Sequence, residues 1–281
     1  MSAGVYTIRA LKTLDDCRQV VELEKRVWQY PDAEDVVPAA VLLVSVKRGG
    51  ILLGAFEAGT RGMIGFVYSM AALKGGQVSQ WSHMLGVLPD RRGAGLGAAL
   101  KRAQRAAALE MGISLIEWTF DPLQALNAHL NFAALGAVSD EYAEDLYGAS
   151  SSPLHQGTPT DRLIVEWRLD SDHVKRRLET AGPRMNSREA FEARVVNRVE
   201  ESGGWLVCTD VRTALDESRV AIEIPVAGDM AASAPGLARE WRLATRLAFT
   251  NYFARGYRAV DFFLDRAAGR GRYLLARGQQ P

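Results

Sequence analysis

The stretch Val87-Leu88-Pro89-Asp90-Arg91-Arg92-Gly93-Ala94-Gly95-Leu96-Gly97-Ala98-Ala99-Leu100 constrains the fold more than any other. A strand-like apolar run stops at Pro89, three glycines follow at every second position, and a helical pattern begins. That pattern sets Leu96, Leu100, Ala103 and Ala107 at three- and four-residue steps, leaves Lys101, Arg102 and Arg105 outside, and ends at Gly112. The first turn of a helix carries unbonded N–H groups and the positive end of its dipole. Glycines let the backbone close on an anion without Cβ clashes. The product is an anion site of pyrophosphate size, with Arg91 and Arg92 adding positive charge beside it. Taken alone, the loop reads equally well as a turn capping a helix.

Three ligand classes use such loops. A phosphate-binding loop of the nucleoside-triphosphate type needs Lys-Ser/Thr after its last glycine, and Ala98-Ala99 stands there. A dinucleotide fingerprint can be forced from Gly93, Gly95 and Ala98, but it belongs directly after a strand of a doubly wound unit. Here Pro89-Asp90-Arg91-Arg92 intervenes, and four antiparallel-looking strands come first.

Those strands are read at Val5–Ala10, Val41–Val46, Ile51–Glu57 and Met63–Met70, with Lys47–Gly50 a hairpin turn and Trp81–Leu88 a further strand. A helix capped by Asp15 or Asp16 runs to about Val27, with Val20, Val21, Leu23 and Val27 near one face. Pro31 and the acidic residues 32–35 interrupt the pattern. Ile113–Phe120 is a strand, Asp121-Pro122 breaks it, and a short helix from about Leu123 to Leu135 ends at Gly136. A Ser-, Pro- and Gly-rich loop, 148–160, precedes the strand Leu163–Arg168, and a charged stretch, 170–183, marks a boundary. Beyond it lie strand-like Phe191–Val199, Trp205–Val211 and Val220–Pro225, a helix over Gly236–Arg255, the strand Tyr257–Leu264, a basic turn and Tyr273–Ala276. The order at 220–264 echoes that at 81–120, with Arg242 in the place of Arg92 but Thr245 and Leu247 in place of glycines. A degenerate duplication and a commonplace α+β order both account for the echo.

Residues 5–168 resemble the GCN5-related N-acetyltransferase superfamily. Arg92–Gly97 is similar to its Arg/Gln-x-x-Gly-x-Gly/Ala loop, Leu85–Pro89 to its fourth strand, and Asn127–Ala137 to its following helix. The resemblance implies an α+β fold with a mixed, splayed sheet, spanning residues 1–170. Residues 171–281 would then form a second, smaller α+β domain, open to reading as a degenerate half of the same fold, with an acceptor-covering or homodimerising role. It also implies acetyl-CoA or another acyl-CoA, succinyl-CoA included, with its pyrophosphate on Arg91, Arg92, Gly93, Ala94, Gly95, Leu96, Gly97 and Ala98. The pantetheine arm would run along Leu85 and Val87, and Asn127 would bond it or cap its own helix.

In such enzymes a base takes the amine proton and an acid meets the leaving thiolate. The family's usual acid, a tyrosine four residues before the helix-ending glycine, is replaced by Phe132. Tyr142, Tyr147 and His129 are possible substitutes. His83 is a candidate base of suitable pKa, in parity with Leu85 and Val87. Glu117 interrupts the apolar run Leu115–Trp118 and needs a partner or a task. Asp121 is a third catalytic candidate, or a turn residue. Asp161-Arg162 reads as a strand-end salt bridge or an acceptor carboxylate site. Glu223 likewise interrupts a strand. Trp241, Arg242, Arg246, Phe249 and Tyr252 form a helical stripe that reads as core before it reads as a surface.

Composition narrows the partners. A net charge of +1 gives no field favouring nucleic acid or an anionic membrane. No apolar run reaches the roughly 20 residues a membrane span needs, and no signal-peptide pattern opens the chain. Cys17 and Cys208 are far apart and form no metal-ligand spacing, which fits a reducing, cytoplasmic setting. The expected function is acyl transfer to a small-molecule amine such as an amino acid, with a non-catalytic acyl-CoA-binding or regulatory protein as the alternative.

Overall fold

The computed structural model describes residues 6–28, 36–60, 62–148, 159–179, 188–226 and 230–278. The expected break at 31–35, most of the loop 148–160 and the end of the charged stretch 170–183 lie outside these residues. The chain divides into two compact units, one up to Trp118 and one from Thr119 onward. Among the described residues no helix is long and apolar enough to cross a membrane. Cys17 and Cys208 are free thiols.

The first unit opens with β1 (Tyr6–Ala10) and α1 (Leu14–Trp28). Thr13, not an aspartate, caps α1: its Oγ1 accepts the Asp16 N–H at 3.1 Å, and Asp16 Oδ2 accepts the Thr13 N–H at 3.1 Å. This is a reciprocal capping box with aspartate in the third position. Cys17, Val20, Leu23 and Val27 then fall on the buried face.

The expected strand Val41–Val46 is instead the helix α2 (Ala39–Lys47). A short apolar run does not distinguish the two by composition. Burial does: Leu42 is buried while Val41 and Val44 are 51% and 60% exposed, a helical and not an alternating pattern. The expected hairpin turn is the end of that helix. Gly49 takes φ 95°, and the Gly50 N–H returns to Ser45 O at 2.8 Å, a Schellman closure.

Next come β2 (Ile51–Glu57), β3 (Met63–Lys74), β4 (Gln77–Val87), α3 (Leu96–Glu110) and β5, which begins at Leu115. With 41–46 helical, β2 pairs with β1 and β3, and β3 with β4, all antiparallel. β5 joins β4 in parallel. Leu11, Cys17, Val20, Leu23, Leu42, Phe66 and Tyr68 form the core between α1, α2 and one face of this sheet.

In the second unit α4 (Ala125–Ala128) runs into a π-helical turn, His129–Ala134. β6 (Val138–Ala143) follows, a strand the sequence pattern did not suggest, and then β7 (Arg162–Arg168). Beyond α5 (Asp172–Glu179), the expected strand Phe191–Val199 is divided among α6 (Arg188–Glu192), β8 (Arg194–Val195) and the start of β9 (Asn197–Ser202). The remainder is β10 (Trp205–Val211), β11 (Arg219–Pro225), α7 (Met230–Ser233), α8 (Pro235–Ala254), β12 (Tyr257–Asp265) and β13 (Arg270–Arg277).

The strands of this unit run β7-β6-β12-β13-β11-β8, with β9 and β10 as a separate hairpin. Trp241, Phe249 and Tyr252 of α8 are fully buried, so the stripe is core. The echo between 81–120 and 220–264 does not extend to topology. β4 and β5 are direct neighbours, whereas β13 folds back between β11 and β12. Within the second unit α4-β6-β7 and α8-β12-β13 share the order helix, strand, strand, and β6 and β12 are antiparallel neighbours through Ser139 and Ala259.

Candidate functional site

β4 is paired with β3 along its length but with β5 only at Gln80↔Ile116 and Trp81↔Glu117. From Ser82 to Val87 the two strands of the first unit part. On the β3 side, Tyr68 faces Met84 while Ser69 faces Ser82, so His83 is the extra residue of a β-bulge. The bulge cancels the expected parity. Leu85 and Val87 stand opposite Val67 and Gly65, and a Cβ at Gly65 would meet Leu96 and Leu100 of α3. His83 instead sets its ring edge-on to Tyr68, centroids 6.2 Å apart, on the face that carries α1. Its ring is partly open to solvent, yet the protein around it disfavours the charged form and lowers its pKa. It makes none of the described hydrogen bonds.

After β4 the chain turns through Pro89–Arg91, and Gly93 and Gly95 adopt φ of 81° and 84° before α3 begins. A Cβ at either glycine would meet nothing within 4 Å, so it is the left-handed backbone that calls for glycine here. None of the described backbone hydrogen bonds uses the N–H of residues 93–98. Arg92 locks this loop in place: Nε donates to Val87 O at 3.0 Å and Nη2 to Val27 O, at the end of α1, at 3.2 Å. Both acceptors are neutral, so its charge remains beside the cradle. The Arg91 guanidinium is paired with Glu57 at 2.7 Å. Exposed Ala94 and half-buried Gly97 and Ala98 keep the rim low, while Leu96 anchors the helix start in the core. Free amides, left-handed glycines and a helix N-terminus fit a pyrophosphate.

Partner accounting separates the acidic candidates. Glu117 is buried and ion-paired with Lys74. Asp121, in the second unit, is gripped by Arg242 through both oxygens and accepts the Leu123 N–H. Burial raises its pKa, but the Arg242 hydrogen bonds and charge outweigh that and hold the carboxyl below its ordinary value. Asp161 is bound by Arg246 at 2.7 and 2.9 Å and by the Tyr142 hydroxyl at 2.7 Å, and Glu223 by Arg270 and Arg272. Tyr147 shares a hydrogen bond with Thr119. Asn127 is exposed on α4 and makes none of the described hydrogen bonds, so it caps no helix. Phe132 is fully buried, its ring edge-on to Phe120 and Tyr273 at 6.0 and 5.6 Å.

Among the buried charges that escaped the sequence reading are Lys101 and Glu24. Lys101, expected outside α3, is 2% exposed; Nζ donates to Ser82 Oγ at 3.1 Å and Gln104 Oε1 at 2.8 Å. Glu24 is fully buried on α1: Oε2 accepts the Val37 N–H at 3.0 Å, and Oε1 has no hydrogen-bond partner. Burial pushes its carboxyl up to about 7, against the smaller opposing effect of that N–H. Glu24 occupies an apolar-stripe position between Val20 and Val27, and that spacing was the available signal; Lys101 lies beside the expected stripe and shows its burial only in the structure.

A splayed β4–β5 pair followed by an amide cradle on a helix defines a class: the fold of the GCN5-related N-acetyltransferases. One solved structure supports that fold. A candidate acetyltransferase from Acinetobacter baylyi ADP1 aligns with 14% identity and a TM-score of 0.50, over 61% of this chain and 96% of its own. A candidate acetyltransferase from Salmonella typhimurium, solved with its cofactor acetyl-CoA, has 19% identity and a TM-score of 0.48, over 64% and 98%. The ribosomal-protein-S18-alanine N-acetyltransferase of Escherichia coli has 17% identity and a TM-score of 0.47, over 59% and 96%. No protein-family model matches the sequence, and no curated protein sequence matches it significantly.

Proposed function

We propose that this protein is an acyl-CoA-dependent N-acyltransferase carrying an acetyl or succinyl group to the amine of a small metabolite such as an amino acid. The observation that carries the reading is the open β4 edge running directly into the unbonded amides of residues 93–98. In this reading the amides and Arg92 hold the pyrophosphate, and the backbone at Leu85 and Val87 pairs with the pantetheine arm. Asn127 is a further proposed ligand for that arm. The amine nitrogen bonds to the acyl carbon, the C–S bond breaks, and the thiol leaves as thiolate.

His83 is the proposed base. It makes none of the described hydrogen bonds, its environment favours the neutral ring, and a general base must be unprotonated to act. Glu117 and Asp121 rank behind it because each is committed to a cation. No acid is assigned, and a thiol of pKa about 8.5 leaves tolerably without one near neutral pH. Residues 1–170 are the proposed acyl-CoA domain and 171–281 a second α+β part with an acceptor-covering or homodimerising role, in a cytoplasmic protein.

Free-thiol release from acetyl- and succinyl-CoA over a panel of small amines tests the proposal, with a peptide amine as comparison. Turnover on any small amine supports it. CoA binding with no turnover supports the second reading, a non-catalytic acyl-CoA-binding protein. The buried phenyl ring of Phe132 at the usual acid's position favours that alternative. A thermal shift with NAD(P) and none with CoA sinks both.

A further inference from the structure

The parting of β4 and β5 has a fixed beginning. The last paired residues are Trp81 and Glu117, so Ser82 and Trp118 are the first to diverge, and the bulge residue His83 follows at once. One side chain reaches both strands from beneath. Lys101 of α3 donates from Nζ to Ser82 Oγ at 3.1 Å and lies 3.7 Å from the centroid of the Trp118 ring. Fully buried Gln104 closes the triangle, accepting from Lys101 at 2.8 Å and donating to Ser82 Oγ at 3.1 Å.

We infer that Lys101 pins the β4–β5 fork: it is a positioning residue that fixes the fork relative to the amide cradle at the start of its own helix. The inference rests on the reading of that cradle as the coenzyme A pyrophosphate site. Lys101 lies five residues after Leu96, about 7 to 8 Å along the helix axis. The same rigid element therefore carries the cradle at its tip and the pin in its second turn. Apolar packing of Leu96 and Leu100 beside Gly65 resists separation of α3 from the sheet but is non-directional. Hydrogen bonds and a cation held over a ring set register. An extended pantetheine arm, bonded to β4 at one end and held by its pyrophosphate at the other, is sensitive to that register.

The ammonium has three N–H groups. Two donate to Ser82 and Gln104, and the cation faces a ring. Those contacts suit anchoring; proton transfer to substrate would require breaking them. Burial of this cation also costs stability, and leucine or methionine would fill the space without that cost. Its pKa is pushed well below the ordinary lysine value by burial, in keeping with that cost.

Lys101→Met tests the pin through two ligands that share the cradle: coenzyme A, and its phosphoadenosine diphosphate half, which lacks the arm. Calorimetry should show coenzyme A binding weakened about tenfold, the worth of one or two lost polar contacts. The half-ligand should keep its affinity within a factor of about two, and the thermal midpoint should not fall. Ser82→Ala, which removes only the β4 anchor, should show the same split on a smaller scale and serves if Lys101→Met folds poorly. Equal losses for both ligands, or no loss for either, overturn the inference. If the unaltered protein binds neither ligand, the cradle reading itself fails and the pin with it.

Discussion

Replacing Glu24 by glutamine should make the protein more stable, and only above a definite pH. The carboxyl is fully buried on α1 among Cys17, Leu23 and Tyr68, with one backbone N–H for a partner. Its ordinary value is 4.5, and burial lifts it to about 7. Below the lower value both folded and unfolded chains hold the proton, and the group contributes nothing. Between the two the unfolded chain ionises first, so stability falls as pH rises. Above the higher value the loss is complete, at about 3 kcal/mol if the whole gap is realised at 1.36 kcal/mol per pH unit. Glutamine keeps an oxygen for the Val37 N–H and leaves a neutral NH2 where the carboxylic O–H stood, so it imitates the protonated glutamate. Burial raises the pKa of Tyr68 and Cys17 from values already above this range, so neither titrates within it. Urea or thermal unfolding of both proteins at pH 5, 6, 7 and 8 measures the difference. The variant should match the parent within about 1 kcal/mol at pH 5 and exceed it by about 2 to 3 at pH 8. A gap that is constant with pH, or widest at pH 5, refutes the reasoning.

Other perturbations follow from the same geometry. Gly95→Ala meets no neighbour but must hold φ near 84°, so it should cost about 1 to 2 kcal/mol in thermal stability and weaken coenzyme A binding; an unchanged affinity would detach the loop from the cofactor. Asp121→Ala strands Arg242, which is 4% exposed, and should cost about 3 to 5 kcal/mol, whereas Asp121→Leu with Arg242→Met should cost less; a double-mutant cycle in urea gives the coupling, and additive losses would contradict it. Phe132→Tyr places a hydroxyl in a closed aromatic cluster and should lose about 1 to 3 kcal/mol of stability with no gain in turnover; a several-fold rise in kcat would show that the position still reaches the reaction. His83→Gln should lower kcat/KM by about a hundredfold or more, and the parent's rate should rise with pH through a pKa below 6.5 and be flat above neutrality; a rise centred at pH 8 would exclude His83 as the base.

The cradle was legible in the sequence because it depends on neighbours in sequence: the end of β4, glycines at φ 81° and 84°, and the start of α3. What failed depended on distant partners. Residues 41–46 alternate no better as a strand than as a helix, and only the burial of Leu42 against α1 and the sheet decides. β6, with Asp140 and Glu141 in its middle, lacks an apolar strand pattern; Arg258 pairs with Asp140 at 3.0 Å across more than a hundred residues of sequence. The β4 bulge leaves no mark in composition, yet it turns His83 to the opposite face from Leu85. Asp121 and Arg242 are 121 residues apart, so nothing local showed that the aspartate was already taken.

The same accounting decides how much chemistry the molecule is free to do. A charge in an apolar pattern is either held by an opposite charge or left with a task, and sequence alone does not distinguish them. Glu117, Asp121, Asp161 and Glu223 each have a basic partner, and removing that partner would strand a buried carboxylate. Phe132 offers no proton at all. Three of the described polar groups outside such pairs stand out: Lys101, whose donors anchor β4 to α3; Glu24, whose carboxyl burial lifts to about 7; and His83, on a bulge where two strands part. In the proposed reading, cofactor recognition therefore rests largely on backbone amides, while proton transfer rests on the imidazole of His83. Substitution at His83 should consequently separate binding from turnover more cleanly than any change in the glycine loop.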